Sequence, residues 1–351
     1  MDYLSRLLKL QKLLEKLSCD AILIEDPIDL FYLTGLEMSA GKLLVSLNHS
    51  ALIVDGRYFE KASQQSIYPV YLQSEDFLKE LVLKLRLQTL GFDKNRTTYQ
   101  NFIQLNHIAE KIVPLDSLVQ HLRMIKEEEE ICLIRESCQL AHQGYEFIRS
   151  LLKEGITEEE VSFELEFYWK KRGAKKLAFD SIIAFGENSS MPHYRAGNTK
   201  LRKNQHVLID IGVVLNHYHS DMTRVVFFGD ANPEIEKIYS IVNEAKENAF
   251  EICFPGTHVG ELDRKAREWI TSKGYGEYFT HSLGHGVGLD VHEIPVIRQT
   301  GPFSQLPLEE GMVITIEPGI YLPSIGGVRL EDTILITKTG YEVLTQSRLN
   351  L

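Results

Sequence analysis

The run VLIDIGVVLNHYHSDMTRVVFF at residues 207–228 places a mostly apolar stretch on each side of a polar break. The pattern predicts two strands joined by a turn at Leu215-Asn216-His217, a β-hairpin. Each strand carries one carboxylate where a hydrophobe is expected, Asp210 and Asp221. With the turn centred between Leu215 and Asn216, these two side chains face each other with Cβ atoms about 5 Å apart. Like charges so placed repel unless a cation or a proton sits between them. A lone buried aspartate serves a turn or a salt bridge. Two opposed in an Ile/Val-rich hairpin read as metal ligands.

Elsewhere the pattern divides the chain in two. MDYLSRLLKLQKLLEKL reads as an amphipathic helix with Leu4, Leu7, Leu8 and Leu14 on its apolar stripe. A buried strand follows at 21–27, ended by Asp-Pro, and strand and helix patterns then alternate through GKLLVSL, ALIVDGRYFEKA, YPVYL and TLGFD. This alternation predicts a small α/β domain over residues 1–123. The acidic first turn of MIKEEEEICLIRES marks the boundary, and residues 124–351 form the second domain. There TEEE caps a helix from about Thr157, a strand follows at 181–186, and helices are expected near 233–253 and 258–273. GMVITIEPG and GGVRLEDTILIT close the chain as two strands around a Gly/Pro-rich turn, so the second domain reads as α+β.

The closing strands repeat the theme of the first hairpin, with Glu317 and Glu331 set among β-branched residues. Arg329 lies two residues before Glu331 and therefore shares its face. Between the hairpins, HSLGHGVGLDVHEIP offers His281, His285 and His292. HSLGH has the spacing of a zincin pair but lacks the intervening glutamate, and Gly284 disfavours the helix that motif needs. Asp210, Asp221, His285, Glu317 and Glu331 together are too anionic for one structural zinc. They suit two divalent cations about 3.5–4 Å apart, between which a water ionises near neutral pH. Oxygen-rich ligation favours manganese, with cobalt, iron or zinc as alternatives. His193, in the MPHY loop, and His292 are left as donors to a developing oxyanion. His281 is either a core residue or one that faces substrate.

Composition narrows the partners. The 351 residues carry 38 Lys and Arg against 49 Asp and Glu, a net charge of −11, which argues against nucleic acid or an anionic membrane. No apolar run approaches the roughly 20 residues of a membrane span. Four scattered cysteines without a CxxC suit a reducing cytosol, so a cytoplasmic protein is expected.

DIG followed by SDMTR, HGVGLDVHEIP, IEPGIY and GVRLEDT resemble the metal-site segments of the pita-bread metallopeptidases, in particular the Xaa-Pro branch of aminopeptidase P and prolidase. FYLTG and VDGRYFEKA resemble the creatinase-like N-terminal domain of the same branch. The resemblance implies a creatinase-like α/β domain before a pita-bread catalytic domain. It implies that Asp210 binds one metal, that Asp221 and Glu331 bridge both, and that His285 and Glu317 hold the second. Glu317 would also act as general base, His193 and His292 as catalytic histidines, and Arg329 matches the family's arginine near the site. On the residues alone, Arg329 either neutralises Glu331 or, like His281, binds substrate. All five ligands are present, unlike in creatinase, which has the fold without the metals. The implied activity is hydrolysis of the bond before a proline at the second position of a peptide, in a homodimer. The N-terminal segments favour aminopeptidase P, with prolidase as the alternative and a non-catalytic binding scaffold as the remote one.

Overall fold

A computed structural model describes residues 1–17, 19–230 and 232–346. They form two compact units, Met1–Arg123 and Met124–Leu351.

In the first unit the order is α1 (Tyr3–Glu15), β1 (Ala21–Ile24), α2 (Pro27–Thr34), β2 (Lys42–Ser46), β3 (Ser50–Val54), α3 (Phe59–Gln65), β4 (Val70–Leu72), α4 (Phe77–Lys84), β5 (Thr89–Asp93), α5 (Tyr99–Leu105), β6 (Lys111–Leu115) and α6 (Leu118–Arg123). The strands make one sheet in the order β4-β3-β2-β1-β5-β6. Fully buried strands such as AILI cannot alternate, because both sheet faces are covered. Two sequence expectations are corrected here. The buried stripe of α1 is Leu7, Leu10 and Leu14, whereas Leu4 and Leu8 are more than half exposed. Asp26-Pro27 also does more than end β1. The Asp26 side chain accepts hydrogen bonds from the Ile28 and Asp29 amides, Pro27 sits in the first turn, and α2 begins there.

The second unit opens with α7 (Glu128–Leu151) and α8 (Glu158–Lys170), each started by a reciprocal capping box, Glu127/Glu130 and Thr157/Glu160. Then come β7 (Lys176–Leu177), β8 (Ile182–Phe185), a 3₁₀ turn (Gly186–Ser190), β9 (Gln205–Ile211), β10 (Val213–Leu215), β11 (Tyr218–His219), β12 (Met222–Phe228), α9 (Pro233–Phe250) and α10 (Val259–Ser272). The chain ends with β13 (Gly284–Gly286), β14 (Glu293–Ile297), β15 (Val313–Ile316), β16 (Gly319–Leu322), β17 (Gly326–Arg329), β18 (Asp332–Thr337) and β19 (Gly340–Val343). Two apolar layers hold these strands. Leu140, Leu165 and Trp169 of α7 and α8 pack on Ile209 and Val213, and Ile238, Val242, Ala266 and Ile270 of α9 and α10 pack on Ile314 and Ile334. Each pair of helices therefore backs one hairpin and leaves the hairpins' polar faces turned away from the apolar layers.

The register of the first hairpin differs from the expectation. The turn is the two-residue Asn216-His217, with φ of 48° and 73°, so Leu215 pairs with Tyr218 and Asp210 stands opposite Thr223. Two successive left-handed residues are the signature of a tight turn whose twist matches the strands. The shift relative to a turn centred one residue earlier is two positions, an even number, so Asp210 and Asp221 keep a common face. Asp221 is not in the ladder; it sits in the gap between β11 and β12. The closing strands are likewise broken. β15 pairs with β18 and β16 with β17 in one continuous register, and Glu317 and Glu331 oppose each other in the gap.

Candidate metal centre

Ligand atoms of Asp221, His285 and Glu331 all lie within 4.8 Å of one another, and all three residues are buried. Nε2 of His285 lies 3.6 Å from Oδ2 of Asp221 and 3.4 Å from Oε1 of Glu317. The hairpins brace each other. Thr223 Oγ1 donates to Oε2 of Glu331 at 2.7 Å, Thr333 Oγ1 donates to the Asp221 carbonyl at 2.7 Å, and the guanidinium of Arg329 pairs with Asp210. Four of the five predicted ligands thus converge directly. The fifth, Asp210, joins through Arg329, while its other oxygen, Oδ1, is buried without a partner.

The electrostatics of this cluster are those of an anion-rich hole. Burial, and then Glu331, Asp210 and Glu317, raise the Asp221 carboxyl far above its usual range. Burial and then Glu331 do the same to Glu317, and burial and then Asp210 push Glu331 up to about 8. His285 is driven the other way, to about 4, by burial and then by His292. Its Nδ1 lies 3.0 Å from the Gly286 carbonyl, which only accepts, so the proton sits on Nδ1 and the Nε2 lone pair faces the carboxylates. An orphaned carboxylate oxygen, a presented imidazole lone pair and crowded carboxylates together fit divalent cations.

Backbone packing shapes the His285 strand. A Cβ on Gly284 would stand 2.0 Å from the Thr315 carbonyl oxygen, so only glycine lets β13 lie this close to β15. From β13 the chain loops back through His292 to β14. Beneath that loop, Glu293 is buried and accepts from Lys126 Nζ at 3.1 Å and from the Asp290 amide at 3.0 Å. The His292 ring is exposed and stands edge-to-face on His285, with centroids 4.5 Å apart. His193 is also exposed, on the loop after the 3₁₀ turn, and the preceding carbonyl of Pro192 accepts from Arg329 Nη2 at 3.3 Å.

His281 and Arg329 are joined by a buried tyrosine. Tyr321 accepts from Arg329 Nη1 at 2.6 Å and reaches Nε2 of His281 at 2.8 Å, while Nδ1 of His281 faces the Ser282 carbonyl at 2.8 Å. The proton of His281 therefore sits on Nδ1, and Tyr321 donates to Nε2. Burial lowers His281 to about 4 and raises Tyr321 to about 12, so this chain of hydrogen bonds stays neutral beside the Arg329–Asp210 pair. In this structure Arg329 and His281 are bound into the scaffold rather than presented freely. Thr223 was missed in the sequence. Its one signal was a hydroxyl two residues after Asp221, on the same face of an apolar strand.

Residues 132–338 match metallopeptidase family M24 and residues 6–125 match the creatinase/prolidase N-terminal domain; the chain belongs to this family and is a metallopeptidase with that two-domain architecture. It is 39% identical over 349 residues to an Xaa-Pro dipeptidase of Pyrococcus furiosus, covering 99% of both chains. Among solved structures, the Xaa-Pro dipeptidase from Bacillus anthracis superposes with a TM-score of 0.94 at 36% identity, covering 100% of this chain and 99% of that one. The X-Pro aminopeptidase from Thermotoga maritima gives 0.85 at 34% identity, covering 96% and 98%. Among the described residues no helix is long and apolar enough to cross a membrane.

Proposed function

We propose that this protein is an Xaa-Pro dipeptidase, a prolidase that cleaves the bond before a carboxy-terminal proline in dipeptides. The observation that carries the reading is the buried Asp221–His285–Glu331 cluster, with Glu317 against it and the exposed imidazoles of His193 and His292 placed on loops. The dipeptidases of Pyrococcus furiosus and Bacillus anthracis, each aligned over at least 99% of their length, support the dipeptide limit. That displaces the expectation of an aminopeptidase drawn from the N-terminal segments.

Asp210, Asp221, His285, Glu317 and Glu331 would hold two divalent cations, manganese in this reading. When bound, such ions polarise a carbonyl and make water a nucleophile at neutral pH. The chain's own groups do the rest. Proline's own nitrogen, in the bond to be cut, carries no hydrogen, so it leaves as an amine only after gaining a proton. Glu317 takes a proton from the attacking water at a carboxylate oxygen and returns it to that nitrogen as the C–N bond breaks. His193 and His292 donate to the oxygen that gains charge when the carbonyl is attacked. Arg329 holds Asp210 and the His193 loop in place. A homodimer in the cytoplasm completes the reading, and gel filtration tests its assembly.

The deciding assay compares Ala-Pro with Ala-Pro-Ala in manganese, before and after chelation. Cleavage of Ala-Pro alone, lost on chelation, is the expected result. Cleavage of the tripeptide would return the assignment to aminopeptidase P, and no metal-dependent cleavage of either would favour a binding scaffold.

A further inference from the structure

Glu158 is the first residue of α8 and its side chain has no exposed surface. An acidic residue in the first turn of a helix is ordinarily there for the helix itself. Here that work is done by its neighbours, since Thr157 and Glu160 already cap α8 reciprocally. The Glu158 carboxyl is turned elsewhere. Its Oε1 accepts from the Phe185 amide and from Asn188 Nδ2, both at 2.8 Å, and its Oε2 accepts from Tyr194 OH at 2.7 Å and the Gly197 amide at 3.2 Å. All four donors belong to residues 185–197, the segment that carries His193. Among the described residues no cation pairs with this carboxyl. Burying such a group costs several kcal/mol unless its lone pairs are satisfied, and the loop is what satisfies them.

Both neighbours of His193 are thereby tied. Tyr194 donates to Glu158 and accepts from Asn188 Nδ2 at 2.9 Å, while the Pro192 carbonyl is held by Arg329, which also pairs with Asp210. The His193 ring between them is exposed. We propose that Glu158 is a positioning residue for His193, acting through Tyr194 to hold the loop at the height where that imidazole meets the substrate oxygen. The inference rests on the catalytic reading of His193.

Tyr194→Phe deletes one hydroxyl and keeps the ring, and Glu158→Gln sets an amide NH₂ among four donors. Both variants are expected to lose about 10–100-fold in kcat on Ala-Pro, the cost of a slightly misplaced group, with KM and bound manganese unchanged. In a His193→Ala background, Tyr194→Phe is expected to change kcat less than twofold, because its effect passes through the missing ring. Amide hydrogen exchange of residues 186–199 should accelerate in Glu158→Gln while α8 stays protected, a readout independent of turnover. The proposal is overturned by an undiminished effect of Tyr194→Phe without His193, by a loss confined to KM or metal content, or by unchanged exchange. His193→Ala with full activity would instead overturn the catalytic reading of His193. In that event faster loop exchange in Glu158→Gln would still support the structural tie. Should Glu158→Gln fail to fold, Tyr194→Phe carries both measurements.

Discussion

The clustered carboxylates and the two exposed histidines are held in opposite ways. Asp210, Asp221 and Glu331 sit on or beside hairpin ladders, are at most 7% exposed, and are cross-braced by Thr223, Thr333 and Arg329 from the opposite hairpin. His193 and His292 lie on loops with their rings in the open, and what is buried is the support beneath them, Glu158 under one and Glu293 under the other. Mutually repelling charges need a rigid frame, because any give would let them drift apart and admit water. A group proposed to touch substrate needs an accessible ring on a stiff base. In both regions, rigidity comes from buried polar contacts made between segments distant in sequence.

Breaking the frame should cost most. Glu331→Ala removes a carboxylate shared by the cluster and is expected to reduce both bound manganese and Ala-Pro turnover to background. Elemental analysis after gel filtration, with the assay alongside, checks this; a metal-replete active variant would contradict it. Removing an open ring should cost less and differently. His292→Ala is expected to lower kcat by about 10²–10³-fold, the worth of one oxyanion donor, while manganese content stays at the wild-type level. Metal loss in that variant would mean that the loop and ladder are one unit.

A histidine of the frame bears on stability instead of turnover. His206 on β9 is buried against Ser189, with Nε2 2.7 Å from Oγ, and burial lowers it to about 4. An unfolded chain binds this proton near pH 6.5. Above that pH neither state is protonated and the full stability is present. As pH falls from 6.5 towards 4 the unfolded state gains a proton that the folded state refuses, so stability is lost, by about 3 kcal/mol for this one group. His206→Asn should therefore lose about that much less over the same interval in urea unfolding. An identical slope would show that His206 is protonated in the fold without penalty.

Much of the site was legible because the strand period is strict. A carboxylate in an apolar strand advertises itself, and Arg329 two residues from Glu331 must share its face. The first register was not legible. Whether the turn uses two left-handed residues at Asn216 and His217 is a choice of backbone conformation that the polar composition of the turn leaves open. Helix α2 was hidden for a different reason. Eight residues of mostly apolar sequence match a strand as readily as a helix, and the Asp26-Pro27 cap was read as a stop when it was a start.

By itself the sequence determined which residue types lie on which face, where the helices are capped, and that five ligand-type side chains recur in a fixed order. Those are local properties, set by side-chain period and backbone chemistry. Only the tertiary structure decided that Thr223 reaches Glu331, that Arg329 divides itself between Asp210, Tyr321 and the His193 loop, and that Glu158 serves that loop and not its own helix. The physical reason is that each of these contacts joins segments whose separation along the chain carries no periodic signal. They form because a buried polar group must find a partner, and the partner is whatever the packing of the two hairpins and their helices brings within reach.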